Sequence, residues 1–457
     1  LTVMTFLGAG MLSGISAQVS PLQVDTLKET KIPDQWDLQS CIDYAKEQNI
    51  TIRKNRITAV STQIDVKTAK AAMFPSLSFS TGQQVVNRPY QETSSRVSGS
   101  EIISSNSKTS YNGNYGLNAS WTLYNGNKRL KTIQQEKLNN QMAELDVATS
   151  ENNIQESIAQ VYIQILYAAE SVKVNENTLQ VSIAQRDRGQ ELLNAGSIAK
   201  SDLAQLEAQV STDRYQLVTA QATLEDYKLQ LKQLLELDGE NEMNIYLPAL
   251  SDENVLAPLP TKRDVYISAL SLRPEIEASK LNVEASELGI NIAKSSYFPT
   301  ISLSAGIGTN HTSGSDFTFG EQVKNGWNNS IGLSVSVPIF NNRQTKSAVQ
   351  KAKLQYETSM LSLLDEQKAL YKTIESLWLD ANSAQQRYAA ANEKLKSTKI
   401  SYELISEQFN LGMKNTVELL TEKNNLLQAQ QEQLQAKYMA ILNTQLLKFY
   451  QGDQLAL

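Results

Sequence analysis

One histidine and one cysteine in 457 residues bound the chemistry this chain could perform. A nucleophilic pair of the Ser-His or Cys-His kind could use only His311, which falls in a Thr/Ser/Gly-rich stretch that reads as a loop tip. Lone Cys41 allows neither an intramolecular disulfide nor a Cys-rich metal site, and multi-His zinc sites are excluded. A di-metal carboxylate bundle needs Glu-x-x-His pairs on facing helices, which one histidine cannot supply. Lys and Arg number 42 against 48 Asp and Glu, a net of −6 without a basic cluster, so no nucleic-acid partner is expected. No cofactor, metal or enzymatic step is expected either.

Helix breakers are scarce, with 20 Gly and 10 Pro in the whole chain. Residues 127 to 188 and 339 to 411 contain neither, so each can run as one uninterrupted helix. In the first, Ile154, Ile158, Val161, Ile165, Ala168, Val172, Asn175 and Leu179 step alternately by four and three, a heptad seam with one polar member. A helix from about 127 to 195, roughly 70 residues, would extend ~105 Å, wider than any single domain core. After a turn at Gly196, the heptad positions Leu203, Leu206, Val210, Asp213, Leu217, Ala220, Leu224, Tyr227, Leu231 and Leu234 predict a returning helix over about 202 to 237. Asp213 is its one charged member and is expected at a wet edge of the seam.

The chain is internally duplicated. Phe74-Pro75-Ser76-Leu77-Ser78 recurs as Phe298-Pro299-Thr300-Ile301-Ser302. At one common offset, Leu117, Leu123, Tyr124 and Asn125 match Leu333, Ile339, Phe340 and Asn341, and Gly196, Asp202 and Leu203 match Gly412, Glu418 and Leu419. The first seam returns as Leu370, Ile374, Leu377, Ala381, Ala384, Tyr388, Ala391 and Leu395. The expected division is a first repeat over 36–237 and a second over 263–452, with tip turns at 194–201 and 410–417. A linker at 238–262, carrying Gly239, Pro248, Pro258 and Pro260, joins them, and a tail follows over 453–457. A single helix over about 263 to 296 would open the second repeat.

Each repeat also carries two strands with period-two alternation, expected at 76–87 and 110–124, then at 300–308 and 326–340. One face is apolar and the other small and polar. Alternation alone leaves a soluble sandwich with one wet face as open as a membrane barrel. Three features favour the barrel: an uncharged apolar leader over 1–17, an inner face without charge, and Trp121, Tyr124, Trp327 and Phe340 where an aromatic interface girdle would lie. The leader lacks a basic n-region, which leaves open a start upstream of Leu1, and an extension over 18–35 follows it. Polar runs at 88–110 and 309–325 read as outward loops. Four strands cannot enclose a pore, and open edges in lipid would strand backbone groups, so several chains must share one barrel. A soluble coiled-coil scaffold would explain the heptads but neither the strands nor the leader.

With these landmarks in order, the chain resembles the TolC-like outer-membrane efflux channels over nearly all of residues 36 to 452. The signature is Ala269-Leu270 with Arg273-Pro274-Glu275-Ile276, its degenerate first copy Ala45 with Asn49-Ile50-Thr51-Ile52, the two Phe-Pro strand entries, and the turns Asn194-Ala195-Gly196 with Ser201-Asp202-Leu203 and Asn410-Leu411-Gly412 with Val417-Glu418-Leu419. The resemblance implies an α+β membrane protein: a homotrimer whose twelve-stranded transmembrane β-barrel, four strands per chain, continues into a long antiparallel coiled-coil α-helical barrel across the periplasm of a Gram-negative bacterium. It implies a passive conduit for drugs or other exported substrates in tripartite efflux or type I secretion, opened by iris-like movement of the tips. The implied partners are a periplasmic adaptor (membrane fusion) protein, an inner-membrane pump of resistance-nodulation-division or ABC type, and outer-membrane lipid.

For the tips, the resemblance implies an acidic constriction at Glu418 and gate ties involving Asp202, Lys414 and Ser201, with adaptor contact at Gly196, Ser197, Gly412 and Met413. Asp202 and Glu418 are also first-turn acids that would complement a helix N-terminus without any gating role. Phe409 stands where the family has a hydrogen-bonding Tyr, and Lys414 replaces an Arg and loses its bidentate geometry. Ties built from Arg186, Asp187 or Arg188 are the alternative.

Overall fold

The computed structural model describes residues 33–90, 94–98, 101–105, 108–238, 243–248, 255–313, 315 and 317–455. The leader expected over 1–17, and the extension through residue 32, lie outside the described residues. The element order is α1 (Leu38–Gln48), α2 (Ile50–Ala71), β1 (Ser76–Asn87), β2 (Ser94–Ser98), β3 (Glu101–Ser105), β4 (Thr109–Asn125), α3 (Lys128–Asn194) and α4 (Lys200–Leu234). It continues with α5 (Lys262–Leu272), α6 (Pro274–Ser295), β5 (Thr300–Thr312), α7 (Phe319–Asn325), β6 (Asn328–Ser336), α8 (Gln344–Asn410) and α9 (Thr416–Gln451). Two compact units result, one from residues up to 57 with 150–269 and 373–457, the other from 58–149 and 270–372. Each repeat therefore contributes to both.

In the first unit, Leu38, Cys41, Ile42 and Ala45 form one face of α1 and are buried with Ile158, Tyr162, Ile165 and Leu166 of α3 and Tyr438 and Ile441 of α9. Fully burying a side chain of this size stabilises by about 1.5 to 3 kcal/mol, so this cluster anchors the three helices. The first seam is buried at Ile158, Ile165, Ala168, Asn175 and Leu179, and its copy at Leu370, Ile374, Ala381, Ala384, Tyr388 and Ala391. Described parts of the linker are tied down. Trp36 bridges Ile245, Tyr162 donates to the Tyr246 carbonyl at 2.6 Å, Trp378 donates to the Pro260 carbonyl at 3.0 Å, and Gln385 donates to the carbonyls of Val255 and Ala257.

The single helix expected over about 263 to 296 is two. Pro274 disfavours helical backbone at the residue before it, and Arg273 is extended with φ −75° and ψ 123°, so α5 stops and α6 starts with Pro274 in its first turn. The first repeat breaks at the matching position without a proline. There Asn49, at φ −60° and ψ 127°, accepts from the Thr51 amide at 2.9 Å and donates to the Leu234 carbonyl at 3.0 Å. An Asx cap does in one copy what proline does in the other.

The second unit holds an antiparallel sheet in the order β1-β4-β5-β6. Three details differ from expectation. Strand β6 ends at Ser336, two residues before Pro338, which has no N–H for the ladder, so Trp327 and Phe340 flank the strand. Strand β5 runs on to Thr312 and carries His311 opposite Gly113, inside the ladder rather than at a loop tip. The run 88–110 contains the hairpin β2–β3, in register Val97↔Ile102 and Arg96↔Ile103, and the run 309–325 ends in α7, started by the capping box of Thr318 and Glu321. Among the described residues no helix is long and apolar enough to cross a membrane.

Both strand-to-helix joints use two successive left-handed residues: Gly126 (φ 68°) and Asn127 (φ 63°) before α3, and Asn342 (φ 50°) and Arg343 (φ 66°) before α8. A long side chain in that region costs about 1 to 2 kcal/mol, and Gly gives back about 0.5 to 1 kcal/mol of that through greater freedom in the unfolded chain. Arg343 is exposed, so Arg343→Gly is expected to stabilise by about 0.5 kcal/mol, read as a raised thermal midpoint in detergent.

Candidate functional site

The sheet has two unlike faces. Register places Phe79 beside Leu117, Leu117 beside Ile307, Trp121 beside Leu303, Leu303 beside Leu333, and Ile301 beside Val335. These side chains stand on one face, and Phe79, Leu333 and Val335 are exposed to 67%, 64% and 58%. On the other, Ser78, Asn118, Gly306 and Ser330 form one row and Ser76, Ser120, Ser304 and Gly332 the next, with Ser76 and Ser120 hydroxyls 2.8 Å apart and Asn118 donating to Ser80 at 3.3 Å. An apolar band that no part of the described chain covers, backed by an uncharged polar face, suits lipid on one side and water on the other. Strands β1 and β6 remain the sheet's edges. Trp121 lies at one end of the apolar band and donates to the Met73 carbonyl at 2.8 Å; Tyr124 follows a register shift on the same strand, and Trp327 and Phe340 are exposed to 57% and 84%.

The tips are two copies of one turn. Gly196 and Gly412 both take φ 74°, with Ser197 donating to the Leu192 carbonyl at 2.8 Å and Met413 to the Gln408 carbonyl at 2.9 Å, the pattern that closes a helix C-terminus. They differ in what they present. Leu411, Met413 and Val417 are exposed to 69%, 65% and 58% on the second tip, whereas the first shows Ser197, Lys200 and Ser201. Asp202 accepts from the Ala199 amide at 3.0 Å. Glu418 completes a reciprocal capping box with Asn415, at 2.9 and 3.2 Å, and pairs with Lys414 at 2.5 Å. The Lys414 hydrogen bond, then the Asn415 amide, hold the Glu418 carboxyl below its ordinary 4.5. Both acids thus serve helix N-termini within their own turns. Arg186 pairs with Asp187 at 2.6 Å and Arg188 with Glu191 at 2.7 Å, each along α3 itself. Phe409 is buried.

The structure overturns the placement of Asp213. It is buried, not at a wet edge, and its carboxylate meets the Lys423 ammonium and the Ser182 hydroxyl, while Lys423 also donates to Ser182. Gln209 donates to the other Asp213 oxygen at 2.9 Å. The side chains of Lys423 and Asp213 are 4% and 2% exposed. Burial pushes the Lys423 ammonium below its usual range, offset in part by Asp213. Sequence reasoning passed over Ser182 and Lys423. Their signal was positional, since Ser182 is the next heptad step after Leu179 and Lys423 lies one turn beyond Leu419.

His311 sits among the rings of Tyr111, Tyr115 and Phe319, at centroid distances of 5.2, 5.9 and 5.0 Å. Cys41 is fully buried, and burial, with a smaller push from Asp37, lifts its thiol to about 12. Among the described residues no three of His, Cys, Asp and Glu converge to hold a metal.

Comparison with known proteins follows the same lines. The family model described as "Outer membrane efflux protein" matches residues 41–236 and 265–452. The outer membrane efflux protein BepC of Brucella suis biovar 1 is 24% identical over 294 residues, 64% of this chain and 61% of that protein. The outer membrane protein TolC of Escherichia coli is 24% identical over 294 residues, 62% of this chain and 58% of that protein. The chain thus matches less than two thirds of the length of these relatives. Among solved structures, CusC superposes with a TM-score of 0.77 at 18% identity, over 91% of this chain and 92% of that one.

Proposed function

Because the chain belongs to the outer membrane efflux protein family and resides in the outer membrane, we propose that three copies close one twelve-stranded barrel and form a passive export channel. The observation that carries this reading is the four-stranded sheet with a bare apolar face, an uncharged polar face and two open edges. Edges in lipid leave backbone groups unpaired at several kcal/mol each, and joining β1 of one copy to β6 of the next removes every edge. The long helices α3, α4, α8 and α9 then form the periplasmic tube, with the repeats over 36–237 and 263–452 as its structural halves. Gly196, Ser197, Gly412 and Met413 face a periplasmic adaptor, itself joined to an inner-membrane pump, and an iris-like spreading of the tips admits drugs or other exported substrates. No bond is made or broken.

Three Glu418 carboxylates about one axis form a ring that favours cations. Asp202, Ser201 and Lys414 take part in the ties between hairpins that keep the tips closed. Single-channel recording of the detergent-extracted protein in a planar bilayer tests both levels. Small, cation-selective steps are expected from the wild type, with selectivity lost in Glu418→Ala. Steps indifferent to Glu418 would move the constriction elsewhere, and protein that neither enters membranes nor conducts would sink the channel. The pH dependence has a definite sign. Glu418 is ionised above its depressed folded value, so cation selectivity fades only when pH falls through that value. Lys414→Met removes the largest cause of the depression, and the acid midpoint of selectivity is expected to rise toward 4.5.

A further inference from the structure

The charge pairs at the tips each lie within one hairpin: Lys414 with Glu418, Arg186 with Asp187, Arg188 with Glu191. They are also exposed. Lys414 and Glu418 keep 33% and 39% of their side-chain surface in solvent, where an ion pair is screened and contributes little. None of the three connects one repeat to the other.

The buried cluster differs on every count. Ser182 belongs to α3, Asp213 to α4 and Lys423 to α9, so it joins the hairpin of the first repeat to the return helix of the second. Gln209 of α4 holds the outer Asp213 oxygen and also reaches the Asn424 amide oxygen of α9 at 3.5 Å. Packing alone does not call for these charges. Where Asp213 stands in the first repeat, the second has Ala429, which is fully buried; where Lys423 stands in the second, the first has exposed Glu207. The fold fills the equivalent seam position with a methyl group, so the ion pair is present on only one side of a duplicated frame. A dry pair also responds steeply to displacement. Drawing α9 away from α4 either separates opposite charges in a low-dielectric interior or lets water in, so intermediate positions are disfavoured and two states remain.

We propose that Asp213 and Lys423, seated with Ser182, form a pin that holds α9 on the α3/α4 hairpin, and that release of this pin is the step that frees α9 to move. The gating half rests on the channel reading above, whereas the pin itself does not.

The test uses the full-length protein in detergent and two readouts. Amide hydrogen exchange over residues 206–216 and 420–430 reports on the pin; bilayer conductance of the same preparations reports on the gate. Asp213→Asn and Lys423→Met are each expected to speed exchange in both segments by about tenfold and to raise conductance. The pair Asp213→Leu with Lys423→Met, which removes the pin without stranding a charge, is expected to exchange faster than the wild type in both segments, though less than either single variant, whereas Lys414→Met is expected to exchange like the wild type. Should a single charge variant fail to fold, Ser182→Ala removes one partner without stranding a charge and is expected to speed exchange with the same sign and less effect. Exchange unchanged in Ser182→Ala and in the double variant overturns the pin, whatever the single charge variants show. Faster exchange with unaltered conductance, in a wild type that conducts, overturns its role in opening. A wild type that never conducts, with exchange altered as stated, leaves the pin standing and removes the channel reading instead.

Discussion

Gly126→Ala is expected to destabilise the sheet-bearing unit by about 3 kcal/mol, more than any other single-methyl addition to the joints and tips. Two costs combine. The residue sits at φ 68°, where any Cβ meets its own carbonyl and costs about 1 to 2 kcal/mol. The space around it is also taken, since a Cβ there would lie 2.6 Å from the Ser295 carbonyl oxygen and 2.9 Å from Phe298 Cβ. The first of these is backbone at the end of α6, fixed further by the Ser295 hydroxyl donating to the Gly126 carbonyl at 2.9 Å, so the neighbour cannot yield. Overpacking of this kind costs about 1 to 3 kcal/mol, against about 0.4 to 1 kcal/mol regained from a stiffer unfolded chain.

Gly196→Ala supplies the control. Its φ is 74°, but nothing lies within 4 Å of an added Cβ, so only the conformational cost of about 1 kcal/mol remains. Thermal midpoints of the two variants in the same detergent should therefore differ clearly. Equal losses would mean that backbone angle alone decides and that the close approach of β4 and α6 can relax.

What the residues disclosed in advance follows from how short-range each signal is. Period-two alternation in Leu117, Ala119 and Trp121, and again in Ile331, Leu333 and Val335, identifies a two-faced sheet because strand geometry puts successive side chains on opposite faces whatever lies beyond. The end of β5 was illegible for the converse reason: Thr309, Asn310, His311 and Thr312 are polar on both faces, and they are kept in the ladder by their partners Tyr115, Asn114, Gly113 and Asn112 and by α7, whose Val323 carbonyl and Gln322 side chain accept from Thr309 and Thr312. The break at Arg273 follows from Pro274, but the matching break at Asn49 depends on a bond to Leu234, distant in sequence. The candidate site divides in the same way. Capping by Asp202 and Glu418 is local and readable. A heptad places Asp213 on the seam between α3 and α4, but whether that seam is dry depends on a third helix, and nothing near residue 213 announces Lys423.

That third helix sets up the other large effect. Lys423→Ala alone is expected to destabilise the helical unit by about 3 to 5 kcal/mol, because it leaves the Asp213 carboxylate buried without its counter-charge and opens a void beside Ser182. Asp213→Leu combined with Lys423→Met is expected to come within about 1 kcal/mol of the wild type, since two desolvation costs vanish along with one attraction and the methylenes refill the volume. The second repeat supports this arithmetic: buried Ala429 occupies the position equivalent to Asp213 and needs no charge to pack. Single and double variants, melted in detergent while helix content is followed by circular dichroism, therefore form a cycle whose coupling should far exceed that of the Lys414 and Glu418 pair, exposed on the same helix end. A double variant as unstable as Lys423→Ala would mean that the attraction within the pair outweighs both desolvation costs. Comparable small losses in all of them would mean that water reaches the cluster and that the seam is not dry.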